Sequence, residues 1–298
     1  MRRTVHPCRG IFALVALVLC RPLAAEEAVP PAEIDATGRA IANAPLGAGR
    51  AGVAQWSGAI DFFTPVAGSS QCGLGLDVIA ERRTYHFRDF GDFLPGRSAP
   101  LSQAALITLQ PTLAVNLTPS WSVVGSTQLQ SAAAPGAPLR DALLSTGSVG
   151  AFFSKKNLKI GLSLEFEQRL SGSPLIVPYP IIDWNFSGRW HLTALDGQSG
   201  RLSCDVTGEV SVFGQLEFQS QDIRLGRRSS IPSGILRYEA FPLFGGLQYK
   251  PGPHLVASLA AGAALAQNHR FEDERGHLLR TSDRHSPFIC VLELDYSF

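Results

Sequence analysis

Three observations in the 298 residues predict an all-β chain, a closed antiparallel up-and-down transmembrane barrel of about 12 strands. First, the C-terminal stretch Pro287–Phe298 alternates without a fault. Phe288, Cys290, Leu292, Leu294, Tyr296 and Phe298 fall on one side of a period-two strand, and Ile289, Val291, Glu293, Asp295 and Ser297 on the other. Second, the alternation recurs upstream in runs near the ~9–11 residues that a tilted spanning strand requires. Third, the connections between runs are alternately short and long, as periplasmic turns and outer loops are in a membrane barrel. A soluble sandwich also alternates, so run length and loop rhythm carry the choice.

The N-terminus fits the same compartment. Arg2, Arg3 and Arg9 precede the apolar run Ile11–Cys20, and Leu23-Ala24-Ala25 offers small residues for cleavage before Glu26. Residues 1–25 read as a secretory signal peptide, because ten apolar residues fall well below the ~20 of a spanning helix. Leu19 stands before Cys20 where a lipoprotein leader carries a small residue, so no lipid anchor is expected. Without the leader the chain keeps 22 basic and 25 acidic residues, a formal charge of −3 that offers nucleic acid nothing. Cys72, Cys204 and Cys290 then remain, an odd number with no Cys-x-x-Cys and no His at ligand distance. No metal, cofactor or disulfide framework is expected.

Residues 26–72 form an N-terminal segment read as a periplasmic linker, rich in Pro, Ala and Gly up to about Gly49, with 53–64 open between a further β segment and one tucked into the barrel mouth. The barrel is expected over 73–298. Its strands read as 73–87, 104–118, 121–131, 145–153, 158–169, 181–186, 190–195, 201–207, 210–220, 235–249, 255–270 and 286–298. The alternation is cleanest where Leu158, Ile160, Leu162, Leu164 and Phe166 oppose Lys159, Gly161, Ser163, Glu165 and Glu167. An even count puts both termini in the periplasm and the long loops 88–102, 132–144, 170–179, 221–234 and 272–285 outside. Trp121, Trp184 and Trp190 lie beside short turns with Tyr249 and Tyr296 at the same level, the pattern of an aromatic girdle. Pro111 and Pro242 fall inside expected strands, where each removes a ladder donor that bulges or shifted boundaries must absorb.

The run Pro178-Tyr179-Pro180-Ile181-Ile182-Asp183-Trp184, followed by Arg189-Trp190-His191-Leu192-Thr193, resembles an uncharacterised family of bacterial outer-membrane barrels of unknown function. Phe241-Pro242-Leu243-Phe244-Gly245-Gly246-Leu247-Gln248-Tyr249, Ala261-Gly262 and Ser286-Pro287-Phe288 fit it too, so the resemblance covers about 170–298. It implies an outer-membrane barrel in a Gram-negative bacterium and brings no catalytic residues. A weaker similarity is to barrels encoded beside aromatic-degradation pathways. The terminal strand ending at Phe298 resembles the signal read by the barrel-insertion machinery, which is one expected partner; outer-membrane lipid and lipopolysaccharide are the others.

No nucleophile and base stand at a recognisable spacing, and His285-Ser286 fall on opposite faces of a strand, so no catalytic residue is expected. The candidate lumen-lining set is Glu165, Glu167, Arg169, Asp205, Glu217, Arg237, Glu239, Glu293 and Asp295, with Asp183, Asn185 and Gln219 beside them. Acids outnumber bases. Charges inside a closed barrel must be solvated or paired, so these groups either line a narrow path for neutral or cationic solutes or plug the barrel with ion pairs. Three readings stay open: a passive or selective pore for small solutes, a non-conducting structural or docking barrel, and a barrel-embedded hydrolase.

Overall fold

The period-two patterns become, in space, one antiparallel sheet that closes on itself. The computed structural model describes residues 32–298 apart from 48, 70, 196–197 and 283–284, and the expected signal peptide lies outside them. Its strands are β1 (Glu33–Pro45), β2 (Gly52–Gly68), β3 (Cys72–Arg88), β4 (Gln103–Asn116), β5 (Trp121–Ala133), β6 (Leu143–Lys155), β7 (Leu158–Glu167) and β8 (Leu175–Asn185). They continue with β9 (Trp190–Ala194), β10 (Ser199–Asp205), β11 (Val210–Glu217), β12 (Gln219–Arg224), β13 (Ile235–Tyr249), β14 (Leu255–Glu272), β15 (Leu278–Thr281) and β16 (Phe288–Ser297). Each strand from β1 to β11 pairs with the next; β11 then pairs with β13, β13 with β14, β14 with β16, and β16 with β1. That ring has fourteen positions. β12 prolongs β11 along β13 in the same register, and β15 adds to the outer end of β14.

The expectation of about 12 strands is corrected to fourteen, and the two extra strands are β1 and β2, drawn from the stretch read as a linker. The outward residues of β1 are Ile34, Ala36, Gly38 and Ala40, set by their pairing with Tyr296, Leu294, Leu292 and Cys290. Three of the four are small, so the contrast with inward Asp35, Thr37 and Arg39 is weak. What makes the strand is its two partners: Glu33–Ile41 pair with β16 on one edge and with β2 on the other. The Phe298 N–H donates to the Ala32 carbonyl at 3.0 Å, so the C-terminal strand closes the barrel against the segment read as a linker. The even count keeps both ends on one side.

Outward residues are apolar and exposed, as Leu162 (55%) and Leu164 (47%) show. Ile60, Ile107, Leu216, Leu243, Leu259 and Leu292 continue this belt around the ring. In water it would be an aggregating surface far larger than a soluble monomer presents. In hydrocarbon it is the favourable face, and closure leaves no open sheet edge around the base of the wall. Trp121, Trp184, Trp190, Tyr249 and Tyr296 are all exposed at the turn end, and Trp56, near the outer end of β2, faces out opposite them.

The two prolines need no bulge of their own. The β4–β5 ladder skips from Leu109↔Leu129 to Thr112↔Ser126, passing Pro111 in unchanged register. Likewise β13 skips from Leu216↔Leu243 to Gln219↔Ala240 around Pro242. The irregularity sits on the other edge of β13, where the register with β14 shifts between Glu239 and Phe241 opposite Ala266, whose φ is 53°.

Two departures from a plain cylinder position the site. The first is an apolar plug at the outer end. Leu46, Phe90, Phe93, Leu94, Leu101, Leu225, Ile231 and Phe271 pack inside the ring against Val53, Leu106 and Leu236. Phe271 meets Phe90 and Phe93 edge-on, at 5.3 and 5.6 Å between ring centroids. The stretch 88–102, read as a polar outer loop, thus contributes four side chains to a core, three of them around the one-turn helix Phe90–Phe93. Each large apolar side chain so buried is worth ~1.5–3 kcal/mol, enough to draw the loop inward.

The second is a seam in the wall. β8 begins at Leu175 rather than at the expected 181, and its upper half pairs with β7 alone, because β9 reaches only far enough to pair with Ile182–Asn185. Pro178 and Pro180 stand in that half, where an absent N–H on the open edge costs no ladder bond. Opposite them the top of the β11–β12 strand crosses to β5, meeting it in parallel at Arg224↔Ala133. Strands β6 to β10 are left as the wall of a side bay.

Candidate functional site: the acid-lined bay

The bay holds a cavity of about 530 Å³ lined by Asp61, Asp77, Gln128, Glu165, Tyr179 and Leu195 among others. Its size falls in the ~300–1,000 Å³ range of small-molecule sites. A smaller pocket of about 90 Å³ lies outward of it, shares Gln128, Thr146, Glu165, Tyr179 and Gln198, and ends against Gln221 and Asp222 of β12. No Lys, Arg or His is among the described residues that line either space. In the main cavity three carboxylates, Asp61, Asp77 and Glu165, with hydroxyls, amides and one phenol make a surface attractive to cations and to neutral hydrogen-bonding solutes.

The basic side chains of the interior are held elsewhere. Arg39 reaches Glu217 at 2.9 Å, joining β1 to β11 across the lumen because β13, β14 and β16 separate them along the wall. Arg83 clamps Glu81 two residues away, at 2.6 and 2.8 Å. Ion pairs fill the side of β1, β3 and β11, and the acid-lined space is bordered by β2 to β8, with its carboxylates on β2, β3 and β7.

The candidate residues divide accordingly. Glu165 and Glu167 line the bay, and Glu217 belongs to the cross-lumen pair. Glu293 and Asp295 face inward opposite Thr37 and Asp35, while Asp205 accepts from Ser211 Oγ at 2.7 Å near the turn end. Arg237 and Glu239 lie on the face of β13 that carries lipid-facing Phe241 and Leu243 lower down. Where β13 leans in, that face turns toward the β7–β8 loop. Arg237 pairs there with Asp222 at 2.6 Å, and Arg169 with Glu239 at 3.3 Å. Asp35 and Asp61 were hidden inside the stretch read as a linker; the signal available was their alternation with Ile34, Ile60 and Phe62.

The hydrolase reading finds no activated nucleophile at the most suggestive place. His191 Nε2 lies 2.7 Å from Asp183 Oδ1, and Ser203 stands beside His191 across the β9–β10 ladder. Ser203 Oγ, however, donates to the His191 carbonyl at 3.4 Å instead of to the ring.

Outside the wall, in the β14–β15 turn, Asp273 accepts the backbone N–H groups of His277 and Arg275 at 2.9 and 2.8 Å, and its side chain meets His277 Nδ1 at 3.1 Å. These bonds, that of the His277 N–H foremost, hold its carboxyl below the usual carboxylate range. A depressed carboxylate stabilises the turn above its ordinary pKa and releases it as the pH falls through the lowered one. The protection of the Arg275 and His277 amides against exchange, relative to an unstructured peptide at the same pH, should therefore fall only below pH ~4, and Asp273→Asn should lower that protection already at neutral pH while leaving the barrel folded.

No protein-family model and no curated protein sequence matches the chain. Among solved structures, an outer membrane channel from Pseudomonas putida F1 is similar over 91% of this chain and 97% of its own, at 10% identity and a TM-score of 0.48. The P. putida toluene transporter TodX matches over 91% of each chain at 10% identity and a TM-score of 0.41. The NanC porin matches over 89% of this chain and all of its own, at 11% identity and 0.38. With TM-scores below 0.5, the assignment rests on the strand pairing of this chain itself. A ring of antiparallel strands with an apolar belt and an aromatic girdle is an outer-membrane β-barrel.

Proposed function

We propose that the chain is a narrow pore for small solutes that favours neutral and cationic ones, with the bay as its path. The observation that carries this is the bay itself: a cavity of about 530 Å³ bordered by Asp61, Asp77 and Glu165, without a basic side chain among its described lining residues. In planar bilayers the purified protein should give small, cation-selective current steps. A bilayer that stays silent would leave the second reading, a non-conducting barrel, which the apolar plug at the outer end favours.

Residence in the outer membrane supplies a companion expectation. The mature chain should begin at Glu26 and run as a heat-modifiable band in outer-membrane fractions. An intact mass that begins elsewhere would remove the assigned cleavage site, and release by osmotic shock would remove the membrane assignment.

A further inference from the structure

Above the β9–β10 hairpin the wall is held by side chains and a loop instead of a strand ladder. Arg169, just past β7, reaches Glu239 of β13 at 3.3 Å and Glu167 at 3.8 Å. The Leu170 N–H donates to Asp222 Oδ2 at 3.0 Å. Arg237 donates to the Ser171 carbonyl at 3.1 Å, and Ser171 Oγ donates to Glu272. The β7–β8 loop is thus strapped onto the outer ends of β12–β14, over an opening whose other borders are the open edge of β8 and the hairpin end at Leu195 and Gln198. Behind that opening lie the 90 Å³ pocket and then the main cavity, which share their lining at Glu165 and Tyr179. Around it Phe166, Ile176 and Phe241 are exposed apolar side chains of the outer belt, while Leu195 lines the cavity.

From this geometry we infer that the seam between β8 and β12 is a gate, closed by the strap of Arg169, Leu170 and Ser171 and opened when the strap leaves Glu239 and Asp222. The physical reason is the kind of bond involved. A continuous ladder opens only by breaking many backbone bonds together, whereas this closure depends on a few bonds made by side chains, one of them the part-buried Arg169–Glu239 pair. The plug bars the straight route outward, so the seam is the weakest outer boundary of the bay. Solutes with an apolar part suit an opening framed by Phe166, Ile176 and Phe241. The inference rests on the pore reading, but opening can be measured apart from conduction.

Spin labels at Ile176→Cys and Phe241→Cys, on a chain in which Cys72, Cys204 and Cys290 are serine, report the width of the seam. The wild-type strap should give one narrow distance distribution. Arg169→Gln should raise a longer-distance population about tenfold, the factor that 1.4 kcal/mol produces in an equilibrium. Glu239→Gln should do the same from the other side, and the two together should add little because they remove one pair. Heat-modifiable mobility establishes that each variant is folded. Unchanged distances in both folded variants would overturn the gate, even if the protein conducts. A widened seam in a protein that never conducts would keep the gate and remove the pore reading.

Discussion

A chain lacking Glu33–Pro45 should fail to form a barrel, showing no heat-modifiable band and no protection of the wall against protease. β1 joins β16 to β2 along both of its edges, so its removal leaves two rows of unpaired backbone groups facing hydrocarbon. Each such group costs several kcal/mol, and a row of them exceeds the whole ~5–15 kcal/mol by which proteins are usually stable. A linker could be deleted without such a penalty. Normal folding of the shortened chain would show that β16 closes on something other than β1.

The second large effect separates the two faces of β7. Leu162 is exposed to lipid midway along the strand, and Ser163 turns inward, where its hydroxyl donates to the Val149 carbonyl at 3.3 Å. Leu162→Arg places a charge near the membrane midplane and should cost ~2–4 kcal/mol in denaturant-driven unfolding from liposomes. Ser163→Arg should cost much less, because it points into the acid-lined bay beside Glu165. Equal costs at the two positions would mean that the facing of β7 is wrong.

How much of this was legible depended on contrast between faces. β13, 235–249, was readable to the residue, because Phe241, Leu243, Leu247 and Tyr249 fall on one period-two face of it. β1 was not, since Ala36, Gly38 and Ala40 satisfy a lipid face without marking it; its identity comes from the two strands it joins. The plug was missed because the local sequence around Phe90 and Phe93, rich in Asp, Gly and Pro, has no periodicity to betray a core built from loops. At the seam Pro178 and Pro180 argued against a strand, and only the shortness of β9 explains why β8 tolerates them. The acidic inward positions could be read singly, but not which of them would meet an arginine. That partition comes from closure, which brings Arg39 to Glu217 from 178 residues away.

The central claim is that the bay is an acid-lined path, and reversal potentials in a salt gradient test it most directly. Wild-type protein in a bilayer should reverse toward the cation potential at ~0.1 M salt, and the preference should fade toward 1 M as the screening length falls from ~10 to ~3 Å. A variant carrying Asp61→Asn, Asp77→Asn and Glu165→Gln should lose the preference while remaining folded, because it leaves the Arg39–Glu217 and Arg83–Glu81 pairs of the interior in place. Anion selectivity in the wild type, or cation selectivity unchanged in the triple variant, would contradict the account.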